Sequence, residues 1–129
     1  MEALIVDDSR ALRGILGKML MRQGFTVFQA ENGVQALKSL EGEAHGVGLL
    51  CLDYNMPEMN GLEFLKRMRE IPAFHDTPVL MITTETHLEF ISKAIAAGSN
   101  EYVMKPFTED MVVDKLRMLG LIPEAEAAW

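Results

Sequence analysis

Apolar residues along the chain come in short unbroken runs, each followed by a longer stretch in which they recur every third or fourth position. The short runs read as strands and the longer stretches as amphipathic helices. "ALIVDD" is the first strand, after which Ser9 caps a helix carrying Leu12, Ile15, Leu16, Met19 and Leu20 and ended by Gly24. "FTVFQAE" is the second strand, Asn32-Gly33 a turn, and "VQALKSLEGE" a short helix with Val34, Leu37 and Leu40 on one side. The continuously apolar "GVGLLCLD" predicts a strand covered on both faces. A loop, "YNMPEMNG", a helix, "LEFLKRMREI", and a second loop, "IPAFHDTP", follow it. "VLMITTE" is the fourth strand, and the next helix carries Leu88, Ile91 and Ile95 as far as Gly98. "EYVM" is the fifth strand, and Thr108 opens a last helix through Met111, Val112, Leu116 and Leu119 to Gly120.

Strict strand–helix alternation predicts an α/β fold, a doubly wound parallel sheet with right-handed crossovers and helices on both faces. Such sheets hold their ligands outside the carboxyl ends of the strands. Strand one ends in Asp7 and Asp8, strand three in Asp53, strand four in Thr83 and Thr84, and strand five is followed by Lys105. Any one of these could be a solvated loop residue or a helix cap. Their common position is what points to a site.

Composition narrows the partners. The 129 residues suffice for one domain with a proper core, and we expect it over residues 1–122 with a short acidic tail at 123–129. The formal net charge of −7 disfavours nucleic acid and anionic membrane surfaces, where clustered Lys and Arg would be wanted. The single cysteine, Cys51, lies in an apolar run and reads as a small buried hydrophobe, which suits a reducing cytoplasm. Most of the ten methionines fall at helix-core spacing and are expected inside. His45, His75 and His87 are too far apart to suggest a metal site, and Trp129 has no evident role.

Three clustered carboxylates cannot all stay ionised without a counter-charge. Mg²⁺ supplies one, since it binds through one or two carboxylates and keeps several waters, leaving room for a phosphoryl oxygen. Lys105 and the Thr83 hydroxyl could meet the other oxygens, and Asp53 could attack phosphorus in line. The residues thus predict a Mg²⁺-dependent phosphoryl-accepting site, and spacing alone leaves open whether the phosphate is held or hydrolysed. A nucleotide-binding enzyme would want a Gly-rich loop after strand one, where this chain has "DDSRALRG". A phosphohydrolase of the haloacid-dehalogenase type resembles a DxDx[TV] pattern, but Asn55 stands here where the second acid should be.

"VDDS", "LLCLDYNMPEMNGLEFL", "VLMITTE" and "EYVMKPF", in this order and spacing, resemble the receiver domain of two-component response regulators, from about Glu2 to Gly120. The likeness is greatest to the single-domain, chemotaxis-type (CheY-like) members. It implies a flavodoxin-like strand order of 2-1-3-4-5. It implies that Asp53 is the phosphoacceptor, and that Mg²⁺ is held by Asp8, Asp53 and the backbone carbonyl of Asn55, with Asp7 acting through water. Lys105 would contact the phosphoryl group, and Lys105-Pro106 would be a cis bond. Thr83 and Tyr102 would form the switch, with Ile91, Tyr102 and Lys115 on the reporting surface. The implied partners are a histidine kinase, a downstream protein such as the flagellar motor switch, and a phosphatase, acting on a cytoplasmic monomer. Such a protein is not an enzyme beyond its own phosphorylation and slow dephosphorylation. A phosphorelay shuttle or phosphate sink, or a small Mg²⁺-dependent phosphatase, are the alternatives. Thr84 departs from the usual Ala or Gly, and Glu85 and Asn55 flank the same entrance.

Overall fold

The computed structural model describes residues 1–84 and 87–124. Glu85 and the end of the tail, including Trp129, lie outside the described residues. Five strands, β1 (Glu2–Val6), β2 (Thr26–Ala30), β3 (Leu49–Leu52), β4 (Val79–Thr83) and β5 (Glu101–Met104), alternate with five helices. These are α1 (Arg10–Arg22), α2 (Gly33–Glu41), α3 (Gly61–Arg69), α4 (Leu88–Ala96) and α5 (Glu109–Met118). All strand pairs are parallel, in the order β2-β1-β3-β4-β5. β1 and β3 therefore sit centrally, where unbroken apolar runs are required because both faces are covered.

Alternation along each strand divides the core in two. Leu4, Val6, Leu50, Leu52 and Met81 point to the side holding Phe64, Leu65, Met68 and Ala94 of α3 and α4. Ala3, Ile5, Cys51, Leu80 and Ile82 point to the side covered by Leu16 and Leu20 of α1 and Val112 and Leu116 of α5. Burial raises the Cys51 thiol to about 12, so it is a packing residue with no reactive thiolate at neutral pH.

The helix ends follow the expected chemistry. Ser9 and Thr108 accept hydrogen bonds from the backbone N–H of Leu12 and Met111, and the residues just past α1, α4 and α5 (Gly24, Gly98, Gly120) take positive φ. Asn32-Gly33 departs from the predicted turn. Asn32 is the N-cap of α2, accepting from Gln35 N, and Gly33 is already helical. The predicted loop after α3 contains a 3-10 turn, Pro72–Phe74, whose Phe74 is buried.

Several apolar assignments are overturned. Ile15, Val34 and Met111 face solvent, and α4 is turned from its expected orientation, with Leu88 and Ile95 81% and 60% exposed. Its inward stripe is Phe90, Ala94 and Ala97, residues with the same helical spacing as the outward one. Periodicity could not choose between two apolar stripes on one helix; the bulk of the Phe90 ring and the close approach allowed by alanine decide it. The methionines also divide differently from expectation: Met1, Met21, Met104, Met111 and Met118 are exposed.

At the amino end of the sheet, Arg69 ties α3 to the strand that follows. Its guanidinium donates to the carbonyls of Phe74, Thr77 and Gly98 at 2.8, 2.7 and 2.7 Å, and to Asn100 Oδ1 at 3.0 Å. Asn100 Oδ1 in turn accepts from Val79 N, the first residue of β4. Among the described residues no helix is long and apolar enough to cross a membrane.

Candidate functional site

Strand register assembles the site. Val6 pairs with Leu52, so the next residues, Asp7 and Asp53, leave the sheet side by side. Thr83 pairs with Met104, which places Lys105 directly after the fourth strand's end, and Lys105 N donates to Thr83 O at 2.9 Å. The Lys105-Pro106 peptide is cis.

Asp7 is 2% exposed and fully engaged. Ser9 N donates to its Oδ1 at 2.8 Å, and Lys105 Nζ donates to its Oδ2 at 2.8 Å. Its backbone carbonyl accepts from Arg13 Nη1 at 2.7 Å. Asp8, one residue on, is exposed. Asp53 is 4% exposed; its N–H donates to Val6 O, and Lys105 Nζ stands 3.4 Å from its Oδ1. Among the described residues no group donates a hydrogen bond to that buried oxygen, so the contact is ionic. Burial holds the Asp53 carboxyl above the usual carboxylate range, with repulsion from Asp7 adding to the rise and Lys105 and the Tyr54 amide opposing it.

Carboxylate oxygens of Asp7, Asp8 and Asp53 lie within 4.8 Å of one another. One ammonium faces three acids, and one buried oxygen lacks a donor. A hard divalent cation fits this donor set, because it removes the excess negative charge and fills the empty position at Asp53. The sequence-predicted residues thus come together as Asp7, Asp8, Asp53 and Lys105. Thr83, fully buried, and Asn55, exposed, stand on the same rim at the ends of β4 and β3. Thr84 is exposed beside Thr83.

Two positions escaped the sequence reading. A Cβ on Gly61 would lie 2.5 Å from Asp53 O and 2.9 Å from Tyr54 Cα, so only glycine lets α3 begin against the acidic loop. Gly61 N closes that loop by donating to Tyr54 O at 2.9 Å, and Glu58 within it adopts φ 69°. The Asn-Gly pair that opens α3, with Asn60 as its N-cap, was the available signal. The second is Phe90, whose ring packs edge-on against Tyr54 at 4.6 Å and against Tyr102 at 6.3 Å. Its neighbour Ile91, which spacing puts on the apolar stripe and the receiver resemblance on the reporting surface, is half-buried.

Away from the acids, Tyr102, Met104, Met111, Asp114, Lys115 and Met118 line a groove of about 510 Å³ between β5 and α5. Lys115 Nζ is paired with Glu101 at 2.7 Å across its edge.

Known proteins share this sequence pattern and this fold. The response regulator receiver domain family matches residues 3–117. The chemotaxis protein CheY1 of Helicobacter pylori is 41% identical over 120 residues, covering 92% of this chain and 96% of that protein. A CheY homolog of Campylobacter jejuni is 42% identical over 117 residues, covering 90% and 89% of the two chains. The crystallised chemotaxis protein CheY4 of Vibrio cholerae superposes with a TM-score of 0.84 at 32% identity, over 91% of this chain and 96% of that one. With its strand order, its acidic rim and these relatives in agreement, the chain belongs to the response regulator receiver domain family, whose members work in phosphorylation-based two-component signalling.

Proposed function

We propose that Asp53 is the phosphoacceptor of this receiver domain and that the protein is a single-domain chemotaxis-type regulator. One observation carries the reading: a buried carboxylate at the end of the central strand has one oxygen without a donor among the described residues, beside Lys105 and two further acids. The donor is a histidine kinase. A carboxylate oxygen of Asp53 forms a bond to phosphorus as the P–N bond to the donor imidazole breaks, and the imidazole leaves neutral after taking a proton from solvent.

Asp8, Asp53 and the Asn55 backbone carbonyl would hold Mg²⁺, with Asp7 behind a water. When bound, the ion supplies positive charge against the phosphoryl oxygens. Lys105 holds another phosphoryl oxygen. It is kept in place by Asp7, whose carboxylate is fixed from the other side by Ser9 N. Asp7 is thereby a bracket for Lys105, while exposed Asp8 is free to ligate directly.

Phosphorylation adds about −1.5 to −2 charge at the rim. The Thr83 hydroxyl moves toward the new oxygens and Tyr102 turns inward after it, a population shift between two states. The half-buried Tyr102 also lines the methionine groove, so its movement alters the β5–α5 surface offered to a partner. The relatives carry the name chemotaxis protein, and the flagellar motor switch as that partner and the cytoplasm as the place belong to our reading of the receiver resemblance. Thr84, beside the acyl phosphate, narrows the path of attacking water, so Thr84→Ala should shorten the phosphorylated lifetime. An unchanged dephosphorylation rate would remove that role.

Incubation with free phosphomonoesters tests the class. A receiver releases product from them no faster than its own acyl phosphate is hydrolysed, whereas turnover faster than that lifetime would make the protein a phosphatase. Affinity capture on the isolated motor-switch protein, with and without acetyl phosphate, tests the output; binding indifferent to phosphorylation would contradict it.

A further inference from the structure

We infer that Phe90 of α4 is a positioning residue that links the phosphoacceptor loop to Tyr102 through ring contacts; the inference rests on the proposed role of Asp53. Tyr54 follows Asp53 directly in the chain, so any displacement of the loop on phosphorylation is felt by its ring. The Tyr54 ring meets Phe90 at 4.6 Å and 64°, and Phe90 meets Tyr102 at 6.3 Å and 65°. Both are edge-on pairs inside the roughly 4.5–7 Å range in which aromatic rings attract through their quadrupoles. Phe90 and Tyr102 both pack on the core beneath α4, while Tyr102 also borders the groove between β5 and α5. At its other end, Phe90 shares with Tyr54, Leu62 and His87 a cavity of about 270 Å³ at the amino end of α4.

The three rings therefore join the residue beside the acceptor to the outer groove by a route separate from the Thr83 hydroxyl. Edge-on contacts are directional. A shift of the Tyr54 ring changes which Phe90 position is favoured, and Phe90 in turn limits the positions open to Tyr102. The element with two states is then α4 together with Tyr102, biased from two sides.

The chain has two tyrosines, Tyr54 and Tyr102, which are the two ends of the stack. Labelling with 3-fluorotyrosine thus gives one fluorine resonance for each end, assigned with Tyr54→Phe. Spectra of the full chain with Mg²⁺, before and during incubation with excess acetyl phosphate, report the response at Tyr102. Intact mass of the same samples reports the labelled fraction. In Phe90→Leu, which keeps apolar volume without a ring, and in Phe90→Ala, Asp53 labelling should stay within about twofold of wild type while the Tyr102 shift per labelled chain falls below about half. An undiminished shift in Phe90→Leu overturns the inference, as does a shift that falls only in step with labelling. If the wild type labels but Tyr102 does not respond, the inference fails while the acceptor role stands. A wild type that does not label at all removes both.

Discussion

Replacing Asp53 by Asn should stabilise the metal-free protein, although it removes a residue from the centre of the site. At an effective dielectric of 20, unit charges 4.8 Å apart, the outer limit of the Asp7–Asp53 oxygen separation, repel by about 3.5 kcal/mol. The attraction between Lys105 and Asp53 at 3.4 Å is about 5 kcal/mol on the same scale. Asp8 is exposed and adds only a screened repulsion. The attraction exceeds this repulsion by at most about 1.5 kcal/mol, less than the several kcal/mol that burying a charge costs, so the burial of the Asp53 charge sets the sign, and it opposes ionisation. The expected gain for Asp53→Asn at pH 7 without Mg²⁺ is about 1–2 kcal/mol. Lys105 keeps its bond to Asp7 in the variant.

The pH dependence has a definite sign. Below about pH 3.9 the carboxyl is protonated in both folded and unfolded chains and contributes no slope. Above that, the unfolded chain loses the proton while the folded chain retains it, so folding stability falls as pH rises through the raised folded value, then levels off. The steepest slope from this one group is about 1.4 kcal/mol per pH unit. Urea melts of both proteins across pH 3.5–8 in chelator, plotted as the difference between wild type and variant, isolate Asp53 from the other carboxylates. Adding Mg²⁺ at about a hundred times its dissociation constant should recover about 2.7 kcal/mol in wild type and little in the variant. A difference favouring wild type at neutral pH in chelator would refute the reasoning, since the Asp53 charge would then be net stabilising.

Asp8→Asn should weaken Mg²⁺ binding more than Asp7→Asn does, because both Asp7 oxygens already accept hydrogen bonds; calorimetric titration that ranks them the other way would contradict the division of roles. Gly61→Ala forces a Cβ to 2.5 Å from Asp53 O and should cost about 1–3 kcal/mol in urea melts while slowing acetyl-phosphate labelling; wild-type values for both would deny the close packing. Arg69→Leu takes the guanidinium from the carbonyls of Phe74, Thr77 and Gly98, of which Phe74 O keeps only the long bond from Thr77 N at 3.4 Å, and should cost about 2–4 kcal/mol, with labelling at Asp53 retained because the change lies at the opposite end of the sheet.

Much of this architecture was legible because a parallel sheet buried on both faces leaves a strong trace in sequence. Leu49–Leu52 had to be central, and the polar residue closing each strand had to lie on one rim. The acidic cluster followed, since Asp7 and Asp53 each occupy the first position beyond a paired strand. What periodicity could not settle was α4, where Leu88, Ile91 and Ile95 compete with Phe90, Ala94 and Ala97 and only the shape of the facing core decides. Gly61 was hidden for a related reason: its role lies in an atom it lacks, and the conflict appears only once α3 is laid against the Asp53 carbonyl. The bracing of Lys105 by Asp7 was likewise invisible, because residues 98 positions apart meet only through the sheet.

The most direct test of Asp53 as phosphoacceptor is intact-mass measurement after incubation with acetyl phosphate and Mg²⁺. Wild type should gain the mass of a single phosphoryl group, and Asp53→Ala should gain none. Labelling of both proteins, or of neither, would contradict the assignment.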